Sequence, residues 1–410
     1  MLGPLIKKHR LDKNLSQESL SQGICSVSYL SKIETGQTEA SYEILSLLLH
    51  RLDIPMPETI EALEEIRGKI QQGIKALLFS DHEHKNRIRK DLENMKELLS
   101  SSPLAVDWHI FQGYLAMENH DLEDIRKSLS SLEAYFSYFT EHQRYHYYIL
   151  KGLYEIEEVR FSSALAVFKK AQSTKRDGNI LSHIAITSFY LGDYVTTISL
   201  GREAYQLLME EGNLQQGIQL SIIIAAAYSN KGQIEESLTV YRRLIHLTLH
   251  HDQEKIRYTV YYNLGATYLV EKQYLLAKEN LNKAKNLLES KRVWQRMILY
   301  QKLVLCSVGL QDLGAAREYL EELGELKKTS FPQASSSLML SIEWLMLYLK
   351  DEDPKGRVEY LEGIKKTYEA SKKDSHFGFQ LFYGEFLIEA YRLQRKYKEA
   401  LLVSDELRRR

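Results

Sequence analysis

The chain repeats itself, and that repetition limits its possible folds more than any other feature. Val270-Glu271-Lys272-Gln273-Tyr274 reads as a turn between two helices, with Tyr261, Leu264, Gly265 and Tyr268 before it and Ala277, Leu281 and Ala284 after it. The same frame fits Gly152, Phe161, Ala164, Phe168 and Ala171, then Ala185, Gly192, Tyr194, Gly201 and Ala204. It fits again at Ala225, Tyr228, Gly232, Ser237 and Tyr241, at Ala316 with Leu320, and at Tyr391, Tyr397 and Ala400. Small residues recur at Ala164, Thr197, Ser237, Ala277, Ala316 and Ala400, at intervals of 33, 40, 40, 39 and 84. The last interval spans one degenerate repeat near 338–370, and an earlier pair near 104–118 and 122–138 fits more weakly. Close packing explains the pattern: Gly265 and Ala277 let two helices approach, while Tyr268 and Leu281 fill the gap to the next pair. One pair cannot bury its apolar stripe alone, but stacked pairs can. Only 6 prolines and 21 glycines in 410 residues suit long helices with few breaks.

This frame is similar to the tetratricopeptide pattern, with helices longer than its usual period of about 34 residues requires. The expectation is an all-α chain whose repeats form a right-handed superhelix, with the first helix of each pair lining a concave face.

A different pattern occupies residues 15–36. Ser16 is placed to cap one short helix and Ser26 a second, with Gly23 and Cys25 at the turn and Gly36 as the stop. Leu20, Ile24, Leu30 and Ile33 point inward by their spacing, which leaves Val27, Ser28, Ser31 and Lys32 on the opposite face. A helix before (3–13) and one after (42–52, capped by Ser41) complete a small domain that ends at Pro55 and Pro57.

S-Q-E-x-L-S followed by Y-L-S-K-I-E-x-G resembles the phage-repressor type of helix-turn-helix. The shortened turn, Gly-Ile-Cys-Ser, resembles that of the peptide-pheromone regulators of bacilli, the Rap/NprR/PlcR/PrgX type. The expected organisation is a helix-turn-helix DNA-binding domain at 1–56, linker helices at 57–103 and a tetratricopeptide-like repeat domain at 104–410. Helices 58–100 also suit the start of the array.

If the N-terminal domain reads DNA, Ser28 and Lys32 are the base-edge candidates, Val27 suits a thymine methyl, and Gln17 and Thr35 suit phosphate oxygens. Ser26 sits at the start of the same helix. Bulk charge gives little help, because the whole chain carries −1 and residues 1–53 balance six positive against six negative side chains. Affinity would rest on local placement of Lys7, Lys8, Arg10 and Lys13 and on two copies of the domain.

On the concave face, Asn263 is the leading candidate to hold a peptide backbone, since its amide both donates and accepts. Tyr262, Asn230, Tyr190 and His183 are placed to face the same channel, and Arg126 could meet a ligand carboxylate. The resemblance implies a cytoplasmic transcription regulator, working as a homodimer or higher homo-oligomer on a double-stranded operator. A short signalling peptide in the repeat channel would switch it. It implies as an alternative that the repeats bind and inhibit a response-regulator protein of a phosphorelay.

Other chemistries have weaker footing. His142 and His146 lie four apart, but Gln143 stands where a zincin has its glutamate. His82 and His84 flank Glu83, and His246, His250 and His251 cluster, all without a spaced third ligand, so no metal is expected. No phosphate-cradling glycine motif and no nucleophile constellation occurs, so no cofactor and no catalytic residue are expected. Cys25 and Cys306 are too few for a disulfide framework. Met1–Arg10 lacks the apolar core of a secretory leader, and the longest apolar run, Ile222–Tyr228, is too short to span a bilayer.

Overall fold

Three serine hydroxyls start the helices of the N-terminal domain. Ser16 Oγ accepts from the Ser19 amide at 3.0 Å, Ser26 Oγ from Tyr29 at 3.1 Å and Ser41 Oγ from Ile44 at 3.4 Å. Each satisfies a donor that has no partner inside its helix. The helices are α1 (Gly3–Asp12), α2 (Gln17–Ser21), α3 (Val27–Glu34) and α4 (Tyr42–Arg51). Gly23 and Gly36 take φ of +72° and +71° at the two turns, a conformation that glycine adopts without strain. Ile6, Leu20, Leu30, Ile33, Leu48 and Leu49 close the core, while Ile24, expected among them, is only half-buried at its edge.

The computed structural model describes residues 3–55, 60–249, 254–289, 292–328, 336–350, 358–372 and 379–408, and every regular element among them is helical. After the N-terminal domain come α5 (Ile60–Leu78), α6 (His82–Glu93), α7 (Lys96–Ser101), α8 (Ala105–Glu118) and α9 (Leu122–Glu133). The pairs α10 (Glu141–Glu157) with α11 (Phe161–Thr174) and α12 (Gly178–Tyr190) with α13 (Tyr194–Glu210) follow. Next are α14 (Leu214–Asn230) with α15 (Ile234–Leu249), and α16 (Glu254–Val270) with α17 (Tyr274–Asn286). The last three pairs are α18 (Val293–Gly309) with α19 (Leu313–Lys328), α20 (Ser336–Lys350) with α21 (Val358–Ser371), and α22 (Phe379–Leu393) with α23 (Tyr397–Arg408).

One turn recurs through the array. A residue with positive φ closes the first helix of a pair, at Ser80, His120, Val159, Gly192, Gly232, Lys272, Gln311 and Arg395. Where the next residue is aspartate, it caps the second helix. Asp81, Asp121, Asp193 and Asp312 each accept from the amide three residues on, at 3.0–3.1 Å. The α5–α6 turn is of this kind, and Gly73 of α5 lies so close to Phe111 of α8 that a Cβ would stand 2.7 Å from the ring. The segment expected as linker helices therefore shares the turn of the later pairs and packs directly on α8.

Each small residue of the repeat is the fourth residue of the second helix in its pair, and all six are buried. A Cβ on Gly265 would fall 2.7 Å from Leu281 and 3.1 Å from the Ala277 carbonyl, which is the close approach that the spacing predicts. Ser237, which replaces alanine, needs a partner for its hydroxyl, and Ser229 Oγ donates to it at 2.7 Å. In the degenerate repeat, Gly363 of α21 lies against Trp344 of α20, where a Cβ would stand 3.0 Å from the Trp344 Cβ.

The chain divides into two compact units, residues 1–191 with 203–217, and residues 192–202 with 218–410. In the second unit, first helices that are not neighbours along the chain touch each other. Gln301 Nε2 of α18 donates to Tyr383 Oη of α22 at 2.8 Å, and Lys272, at the end of α16, pairs with Glu385 of α22 at 3.0 Å. In a simple stack each pair contacts only the next. Here Gln301 and Lys302 of α18 meet aromatic side chains of α16 and α22, with Lys302 over the rings of Tyr262 and Phe382.

Candidate functional sites

The exposed face of α3 carries the residues expected to read DNA. Ser26, Val27, Ser28, Lys32 and Thr35 are all exposed, Val27 at 43%. Leu30, Ile33 and Glu34 turn inward and hold the helix. Thr35 Oγ1 is engaged locally, donating to the Ser31 carbonyl at 2.9 Å.

Gln17 is differently placed. Its Nε2 donates to Glu34 Oε2 at 2.8 Å, so a phosphate would have to compete with a carboxylate for that amide. Glu34 is itself buried and bound by Arg10, through Nε to Oε1 at 2.6 Å and Nη2 to Oε2 at 3.0 Å. Arg10 Nη1 donates to the Leu15 carbonyl at 2.7 Å, and the Glu34 contact holds the guanidinium pKa above its ordinary value. Arg10 was expected to serve DNA from the surface. Instead it is a core residue, because α1 packs across the end of α3. Lys13 pairs with Asp53 at 2.6 Å. Lys8 pairs with Asp12 at 2.7 Å and lies 4.3 Å over the ring of Tyr135, in the segment that joins α9 to α10.

The peptide candidates fall into two groups. In the first unit, His183 of α12 stacks on Phe168 of α11 at 5.2 Å, and burial pulls its imidazole down to about 4. Its Nε2 is buried without a hydrogen bond among the described residues. Tyr190 stacks on Phe161 at 4.8 Å and stays 39% exposed. Arg126 is exposed on α9, the second helix of its pair, whereas the other candidates lie on first helices. In the second unit, Asn230 turns back to its own helix, donating to the Ala226 carbonyl at 2.9 Å. Asn263 is half-buried on α16, and beside it Tyr262 is buried against Tyr258, with ring centroids 6.1 Å apart.

Sequence reasoning missed the group that faces Tyr262. Lys302 of α18 has no exposed surface, and its ammonium lies 5.5 Å from the centre of the Tyr262 ring and 5.3 Å from that of Phe382. The available signal was a Gln301-Lys302 interruption in the otherwise apolar stretch Ile298–Cys306. A pocket of about 180 Å³ in the same unit is lined by Leu269, Leu305, Phe382, Phe386, Glu385 and Glu389, so it shares Phe382 with the surroundings of Lys302.

The histidine pair is a hydrogen-bonded chain. His142 Nε2 and His146 Nε2 stand 3.3 Å apart, and His146 Nδ1 bonds Tyr114 Oη at 2.9 Å. Burial brings the His146 imidazole down to about 3, so it stays neutral. Gln143 is spent on a capping box with Thr140 and on Asp107 Oδ1 at 3.1 Å. Among the described residues no group of three or more His, Cys, Asp or Glu is arranged to hold a metal ion. His250 and His251 lie outside the described residues, as does the side chain of His82. Cys25 and Cys306 are free thiols, and no described helix is long and apolar enough to cross a membrane.

Residues 6–58 match the helix-turn-helix family model. The chain is similar to the transcriptional activator NprA of Geobacillus stearothermophilus, at 21% identity over 254 residues. That match spans 60% of this chain and 62% of the relative. Among solved structures, it is similar to the apo form of the quorum sensor NprR from B. thuringiensis, with a TM-score of 0.67 at 18% identity. That likeness covers 84% of this chain and 98% of NprR. It is also similar to NprR in complex with its cognate peptide NprX, with a TM-score of 0.58 at 17% identity, covering 80% of this chain and 98% of the other. The chain thus carries a helix-turn-helix of that family model at residues 6–58, and its fold is similar to that of NprR.

Proposed function

We propose that the chain is a cytoplasmic transcription regulator that binds an operator through α3 and is switched by a short peptide held by the first helices of the array. The observation that carries this reading is the outward face of α3, with Ser28 and Lys32 free of the core, on a fold like that of a peptide-bound quorum sensor. Since residues 1–53 carry no net charge, two copies on a two-fold site supply the affinity that one lacks. A peptide switches such a pair only by binding one arrangement of the array better than another.

Selection from a pool of random duplexes tests the DNA half. The wild-type chain enriches a two-fold sequence, and Lys32→Ala weakens binding to it about tenfold or more, with unchanged melting, since a base-edge contact is worth about 1–3 kcal/mol. Equal binding by Lys32→Ala sinks the assignment of α3. For the peptide half, Asn263→Ala lowers the affinity for a selected peptide in calorimetry, and an unchanged value removes Asn263 from the site.

A further inference from the structure

We propose that Tyr135 is a latch on the DNA-binding domain: its ring holds Lys8 of α1, and operator binding requires that lysine to leave the ring for a phosphate. This rests on the operator reading above and adds a brake to it. Three observations within the first compact unit carry it.

The first is the contact itself. Lys8 Nζ lies 4.3 Å from the centre of the Tyr135 ring and 2.7 Å from Asp12 Oδ2. The next residue, His9, brings its own ring to 6.3 Å from that of Tyr135, inclined at 48°. Lys8 is thus bracketed between a carboxylate of its own helix and an aromatic face from outside the domain, and only 17% of its side chain stays exposed. Lysines on a domain surface are mostly solvated, but the face of a ring draws an ammonium towards it.

The second is how the ring is held. Tyr135 precedes a short 3₁₀ turn, Phe136–Tyr138, between α9 and α10. Phe136 packs on Phe139 and on Tyr147 of α10, with ring centroids 5.4 and 5.1 Å away. That packing fixes the turn to α10, and Tyr135, half-buried at its start, presents its ring to α1. A rearrangement of α9 against α10 is thereby felt at Lys8.

The third is the charge of the domain. Residues 1–53 carry six positive side chains. Arg10 is bound to Glu34, Lys13 to Asp53, and Arg51 to the carbonyls of Leu20 and Gln22. With Lys8 on Tyr135, four of the six are engaged within the protein. Lys8 is two residues from Arg10, whose partner Glu34 ends α3, so its charge is carried beside the reading helix. A contact with the face of a ring is weak enough for DNA to displace, whereas the buried pair of Arg10 is not. A binding-competent state populated in only a fraction of molecules lowers the apparent affinity by that fraction.

Four full-length proteins test this on the duplex that the wild type selects: wild type, Tyr135→Leu, Lys8→Gln and the double variant, with affinity measured over a range of salt. Tyr135→Leu keeps an apolar side chain and removes the aromatic face. It is expected to bind about two- to fivefold tighter, the worth of a partly exposed cation–ring contact. In the Lys8→Gln background the same substitution is expected to change nothing. Lys8→Gln itself makes the slope of log affinity against log salt shallower by about 0.9, the loss of one phosphate contact. Thermal melting checks each fold, and Tyr135→Gln takes the place of Tyr135→Leu should that one melt early. Unchanged or weaker binding by the Tyr135 variant, equal tightening with and without Lys8, or a slope that Lys8→Gln leaves unaltered overturns the latch and leaves the operator reading standing. A wild type that selects no duplex overturns both.

Discussion

Two of the buried cations among the described residues, Arg10 and Lys302, sit in different surroundings. In the N-terminal domain, Arg10 spends its guanidinium on both oxygens of Glu34 and on the Leu15 carbonyl, and Gln17 adds a further donor to Glu34. In the second unit, Lys302 lies over two rings, and on the same helix and on α16 Gln301 Oε1 and Tyr258 Oη make no hydrogen bond among the described residues. A network with every member satisfied fixes one geometry. A cluster with polar atoms left over has a second, more favourable state once those atoms are met. The difference separates a rigid support for α3 from a part of the array that can change.

The largest effect is expected at the rigid site. Glu34→Ala strands a buried guanidinium, and breaking such a pair costs about 3–5 kcal/mol. Hydrogen exchange should show residues 3–55 losing protection while the array keeps its own. If protection in α1 and α3 is unchanged, Arg10 and Glu34 are not the support described. Replacing both at once, Arg10→Met with Glu34→Leu, recovers most of the loss, because no charge is left buried alone.

The next effect is a pH dependence in the second unit. Burial depresses the folded-state pKa of Lys302 to about 7, below the ordinary lysine value of 10.5. Between these values the unfolded chain holds a proton that the folded chain does not, so stability rises with pH across this window and is lost as pH falls. The rise is at most about 1.4 kcal/mol per pH unit. Urea unfolding at pH 7, 8 and 9 should show this slope in the wild type and a flatter one in Lys302→Met, which removes the background of other groups. Parallel slopes for the two proteins would mean that Lys302 keeps its proton when folded, and the contrast with Arg10 would fail.

How much of this the sequence disclosed follows from the range over which each feature is decided. The caps at Ser16, Ser26 and Ser41, the stop at Gly36 and the small residue at the fourth position of each second helix depend on neighbours within one or two turns. They were legible. Arg10 was not, because a basic residue on a first helix reads as solvated and its partner lies 24 residues on. A signal was available in Glu34, which sits four after Leu30 on the apolar stripe of α3, where a carboxylate needs a buried partner. The inner cluster was half legible. Tyr262 was expected on the inner face, but its meeting with Lys302 and Phe382 depends on helices from three different pairs, the last of them two pairs further on. Arg126 stands apart from the other candidates, since its type suits a carboxylate while its helix is the second of its pair.

The smallest expected effects give the finest form of the comparison, because they use one substitution in both places. Gln17→Leu removes a donor from a buried carboxylate, and a hydrogen bond to a charged group is worth about 1.5–3 kcal/mol. Gln301→Leu removes the bond to Tyr383 but also an amide oxygen that is buried without a hydrogen bond among the described residues. A typical bond contributes about 1 kcal/mol and an orphaned acceptor costs about 1–3 kcal/mol, so the two nearly cancel. Denaturant midpoints should therefore fall clearly for Gln17→Leu and stay close to wild type for Gln301→Leu. If Gln301→Leu is as damaging as Gln17→Leu, the amide oxygen is satisfied in solution and the cluster around Lys302 is as fixed as the one around Arg10. If instead it is stabilising, the contact between α18 and α22 is held at the expense of the Gln301 amide oxygen.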